Sequence, residues 1–92
     1  AYGAPIQATA RGVVVESERD PYYGHYVRID HGNGFETLFG HMSKRQAGVG
    51  QPIERGDIIG RVGSTGRSTS AHIHYEIIKD GKRVNPRKYL GQ

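Results

Sequence analysis

Short apolar runs alternate with turn-forming residues along the whole chain, and no long stretch carries the three-to-four spacing of an amphipathic helix. Pro5 to Ala8 predicts a first short strand. Gly12 to Ser17 (GVVVES) is a β-branched run and predicts a buried strand, with a polar loop over Arg19 to Gly24 after it. His25 to Asp30 and Phe35 to His41 alternate in polarity, and the turn His31-Gly32-Asn33-Gly34 joins them. Its Asn-Gly pair is a strong hairpin signal. Met42 to Gly48 predicts an irregular turn, Gln51 to Ile53 a weak strand, and Glu54-Arg55-Gly56-Asp57 a tight turn into a strand over Asp57 to Val62. Gly63 to Ser70 (GSTGRSTS) is a polar loop. Ala71 to Lys79 is the clearest late strand, and Lys79-Asp80-Gly81-Lys82 turns it back into Arg83 and Val84, with a helical turn expected over Asn85 to Leu90. There is no internal repeat, linker or shift in composition. The expectation is one small, mainly antiparallel all-β domain over residues 1–92.

Composition narrows the chemistry. With 92 residues, 35% of them hydrophobic, the core is thin, while 24% charged residues is ordinary for a folded domain. The chain has no cysteine, which excludes a thiol nucleophile, a thiolate metal site and a disulfide framework. A formal charge of +4 suits an anionic partner, whether nucleic acid, a membrane surface or an anionic cell wall, or simply keeps the protein soluble. The basic residues are scattered and not interleaved with aromatics, so nucleic acid is not an expected partner. No apolar run approaches the ~20 residues of a membrane span. No leader precedes the folded-looking sequence, so an exported protein would carry its leader ahead of Ala1.

Five histidines stand at 25, 31, 41, 72 and 74. In a strand, residues i and i+2 share a face, so His72, His74 and Glu76 stand together while Ile73, Tyr75 and Ile77 face the core. Paired imidazoles on one strand face suit a metal ligand beside a proton-transfer group; solvated surface histidines are the other reading. His41 closes its predicted strand, where a lone histidine is ordinarily a surface residue, and His31 is expected to support its glycine-rich turn. The Gly63–Ser70 loop lacks the lysine of a phosphate-binding loop. It also lacks the final glycine of a nucleophile elbow, so it reads as the wall of a cleft. Lys79 and Lys82 flank Asp80-Gly81 without the methionine of a biotinyl-type hairpin tip, which sets aside a carrier domain.

The run Gly60 to Glu76, with its His72-Ile73-His74, resembles the H-x-H signature of the lysostaphin-type metallopeptidases (family M23, or LytM domains). Ile29 to Gly34 followed by Thr37-Leu38-Phe39-Gly40-His41 resembles the strand–turn–strand that leads to that family's catalytic histidine. Gly3-Ala4-Pro5-Ile6, Gly12-Val13-Val14, Gly56 to Gly60 and Val84-Asn85-Pro86 fall in the family's order as well. The resemblance implies a small antiparallel β domain with its site in a groove across the sheet. It implies zinc-dependent hydrolysis of peptide bonds in peptidoglycan stem peptides or cross-bridges, by an exported protein of the periplasm or cell envelope. It carries a zinc ligand onto His74 and the two non-ligand histidines onto His41 and His72. Either of these is open as the general base; His72 is favoured because it stands beside His74.

The family's remaining ligands come from an H-x-x-x-D motif that should precede Gly3, and none does. The expectation is therefore a domain truncated at its N-terminus, in which zinc binding is incomplete and activity belongs to a longer parent. The alternative is a catalytically incomplete module that binds or regulates other cell-wall hydrolases.

Overall fold

A computed structural model describes residues 2–64 and 74–84, and no helix occurs among them. The predicted strand residues 71–73, most of the Gly63–Ser70 loop and the helical turn expected over Asn85 to Leu90 lie outside the described residues. The strands are β1 (Pro5–Gln7), β2 (Gly12–Asp20), β3 (Gly24–Gly32), β4 (Phe35–Arg45), β5 (Pro52–Ile53), β6 (Ile58–Val62), β7 (His74–Lys79) and β8 (Lys82–Val84). They form one antiparallel sheet in the order β1-β6-β4-β3-β2-β5, with β7 added to β4 and β8 to β7.

The turns follow from their residues. Asn33 and Gly34 have φ of 54° and 81°, and Asp80 and Gly81 have 51° and 82°, so both two-residue hairpins have the doubly positive backbone that Asn-Gly and Asp-Gly adopt with least strain. Between β2 and β3, Asp20 Oδ1 accepts hydrogen bonds from the amides of Tyr22 and Tyr23 at 2.9 and 2.6 Å, which curls Pro21-Tyr22-Tyr23 into a tight loop. Val14, Val27, Ile29, Met42, Ile53 and Ile59 are each at most 1% exposed and form the centre of the core.

Two strands outrun their expected limits. β2 continues through its polar end to Asp20 because Ser17 to Asp20 pair with β3 down to Gly24, although their side chains give no alternation in burial to read. β4 does not turn at Met42. It continues to Arg45, because His41 adopts a left-handed φ of 58° and forms a bulge. His25 pairs with Met42 and Val27 with Phe39, which leaves two residues of β4 opposite Tyr26.

At this bulge β4 also changes partner along its other edge. Phe35 to Gly40 pair with β7, and Met42 to Arg45 pair with β6. The approach of β6 is close: a Cβ placed on Gly63 would lie 2.3 Å from the Ser43 amide nitrogen.

Candidate functional site

The strand fork brings two of the predicted histidines together. His74, the first residue of β7, stands directly across the ladder from Gly40, next to His41. The two imidazole centroids are 5.4 Å apart with the rings nearly perpendicular, at 84°. His41 is 4% exposed, and its amide donates to the Tyr23 carbonyl at 2.6 Å. His74 and Tyr23 flank Gly40 closely: a Cβ there would sit 3.4 Å from the Cβ atoms of both.

The period-two reading of β7 holds for its described residues. Ile77 is buried and Tyr75 stacks on Phe39 with centroids 5.0 Å apart, while His74 and Glu76 share the opposite face. That face continues into a cavity of about 400 Å³ lined by Tyr23, Leu38, Glu76, Ile78, Arg83 and the Glu16–Arg28–Glu36 ion pairs.

Among the described residues Tyr23, Glu76 and Arg83 also gather around His74, and none was assigned a role from sequence. The Tyr23 ring lies 5.4 Å from that of His74, and the more exposed Tyr22 lies 6.3 Å away. Glu76 accepts from His74 Nε2 at 2.9 Å, from the Tyr23 hydroxyl at 3.1 Å and from Arg83 Nε at 2.9 Å. Burial raises the Glu76 carboxyl, but the hydrogen bonds from His74, Arg83 and Tyr23 outweigh it and hold the group below its ordinary value. Burial also raises the Tyr23 phenol above its ordinary value, against the hydrogen bond from Arg83. Glu76 could have been found from its i+2 spacing to His74. Nothing in the sequence signals that Tyr23 would reach β7.

The other histidines fall elsewhere. His31 spans the Arg11 carbonyl and the Thr37 hydroxyl, at 2.7 Å from each ring nitrogen, and so supports local geometry as its sequence context suggests. His25 accepts from Arg45 Nε at 3.2 Å beside a separate cavity. His72 lies outside the described residues.

Zinc was expected from the resemblance. Among the described residues no three His, Cys, Asp or Glu side chains come together to hold a metal ion. His74 has the right donor chemistry for one ligand, since Glu76 occupies Nε2 and leaves Nδ1 uncommitted to that pair. The described residues therefore fit one corner of a zinc site and not a whole one.

Known proteins agree with the fold. The model of Peptidase family M23 matches residues 1–86. Peptidoglycan DD-endopeptidase ShyA of Vibrio cholerae serotype O1 is 45% identical over 86 residues, which is 94% of this chain and 20% of ShyA. DD-carboxypeptidase/endopeptidase Mpg of Neisseria meningitidis serogroup B is 46% identical over 84 residues, 91% of this chain and 19% of Mpg. The chain thus spans about a fifth of the length of these curated relatives.

Among solved structures, a putative peptidase M23 from Pseudomonas aeruginosa superposes with a TM-score of 0.94 at 39% identity, over 98% of this chain and 40% of its own. A zinc-containing peptidase from Vibrio cholerae gives 0.88 at 34% identity, over 91% of this chain and 26% of its own. The catalytic domain of lysostaphin from Staphylococcus simulans gives 0.91 at 28% identity, over 100% of this chain and 74% of its own.

Proposed function

We propose that this chain, which belongs to peptidase family M23, forms the catalytic part of a cell-envelope endopeptidase that cuts peptide bonds in the stem peptides or cross-bridges of peptidoglycan. The observation that carries this reading is the pair His41–His74, held 5.4 Å apart at the strand fork, with Glu76 beside it on the wall of the neighbouring cavity. One curated relative named as a peptidoglycan DD-endopeptidase and another named as a DD-carboxypeptidase/endopeptidase support the substrate class.

In this reading His74 supplies one zinc ligand, and the remaining ligands come from outside the described residues. Zinc, when bound, supplies Lewis-acid activation of water and of the scissile carbonyl. The chain's own contribution is positional. His41 is fixed by burial and by its amide bond to Tyr23, on the side of His74 where it can stabilise developing negative charge or pass a proton to the leaving amine. His72, two residues before His74, is the proposed general base.

The test uses the full-length protein, with metal analysis and peptide release from purified peptidoglycan read side by side. His74→Ala is expected to lose both zinc and hydrolysis. His72→Ala is expected to keep zinc and to lose turnover by about 10²-fold or more. Full activity of the second variant would remove His72 from its role. A zinc-free, inactive wild type would favour the module that binds other wall hydrolases.

A further inference from the structure

The carboxylate of Glu76 is 13% exposed and lies at the meeting point of three donors, although only one of them, His74, has been given a role in the proposed reaction. Arg83 can only donate, and it does so twice: from Nε to Glu76 Oε1 at 2.9 Å, and from a terminal nitrogen to the Tyr23 hydroxyl oxygen at 2.5 Å. Having accepted from Arg83, the Tyr23 hydroxyl turns its own hydrogen to Glu76. A carboxylate so supplied is an acceptor only, and its second oxygen lies 2.9 Å from His74 Nε2. The hydrogen of that bond must therefore come from the imidazole. A neutral imidazole carries one N–H, so Nδ1 retains its lone pair.

We propose that Glu76, clamped by Tyr23 and Arg83, is a positioning residue that holds His74 in its Nε2–H tautomer and presents Nδ1 as the ligating atom. The inference rests on the reading of His74 as a metal ligand. Its geometric half, the tautomer, stands without any metal. Tyr23 acts at both histidines: its hydroxyl sets Glu76 and so His74, its ring packs 5.4 Å from His74, and its carbonyl holds the His41 amide. A carboxylate behind a metal-bound histidine fixes the ring's orientation and raises its basicity, and loss of such a partner typically weakens metal binding about 10–100-fold.

The experiment has two readouts on the full-length protein. Nitrogen-15 NMR of the metal-free protein is expected to show His74 protonated at Nε2. Zinc titration against a competing chelator is expected to show Glu76→Gln binding about 10–100-fold more weakly than wild type, with mixed tautomers in its NMR spectrum. Tyr23→Phe keeps the ring and removes one clamp, so it should weaken zinc less; it carries the test should Glu76→Gln fail to fold by circular dichroism. Protonation at Nδ1 in the wild type would overturn the proposal, as would zinc affinity unchanged in both folded variants. If zinc binding survives His74→Ala while the Nε2–H tautomer is found, the ligand reading has failed and the positioning geometry has not.

Discussion

His41 is constrained first by its backbone. A left-handed φ of 58° costs a non-glycine residue about 1–3 kcal/mol, and it persists here because the Tyr23 carbonyl holds the amide and the ring is buried. Asparagine tolerates this conformation, whereas a β-branched side chain does not. His41→Asn is therefore expected to stay within about 1 kcal/mol of wild type in urea unfolding, and His41→Val to lose about 2–3 kcal/mol. Equal stability of the two variants would show that the bulge relaxes. At this scale the sequence was readable where a period sets direction: His74 and Glu76 share a face because strand residues two apart must. It was misleading at His41, where a polar residue before Met42-Ser43 suggested a strand end. It was silent on Tyr23 and Arg83, whose contacts depend on a loop and a hairpin folding over the same strand face.

Among the elements, β4 decides the geometry. It stays paired to β3 on one edge and exchanges β7 for β6 on the other, and that exchange requires β6 to come in tightly at Gly63. A methyl group at Gly63 would strike the Ser43 backbone, which has no flexible end to give way. Gly63→Ala should cost about 2–3 kcal/mol, as overpacking does. Gly48→Ala, with nothing within 4 Å of its added carbon, should be nearly neutral in the same thermal melts. Equal melting temperatures would mean that β4 and the end of β6 move apart to admit the methyl group. Both two-residue hairpins were legible, because Asn-Gly and Asp-Gly announce a local backbone shape. The pairing of β1 with β6 and of β7 with β4 was not, since strand partners distant in sequence leave no mark in either strand alone.

Across the whole molecule, the formal charge is +4 with the histidines neutral, and His25 resists adding to it. Burial lowers its affinity for a proton below the ordinary 6.5, and Arg45 and Arg19 lower it further. The unfolded chain then binds more protons than the fold just below pH 6.5, so stability is full above that value and declines as pH falls through it. Urea unfolding from pH 8 to pH 5.5 should show this decline. His25→Gln, which keeps an acceptor for Arg45, should flatten it; an unchanged slope would assign the effect to another group. The Glu76 carboxyl, held low, contributes stability that is lost only below its ordinary 4.5, so the two windows are separate.

The position of His74 opposite Gly40 has a consequence for how such a protein can vary. Adjacent strands of a sheet lie about 4.8 Å apart whatever their sequence. The backbone interval between Gly40 and His74 is therefore set by the sheet, with no loop length in it. Connections around the pair can lengthen, shorten or change composition, and the ruler beneath them keeps its graduation.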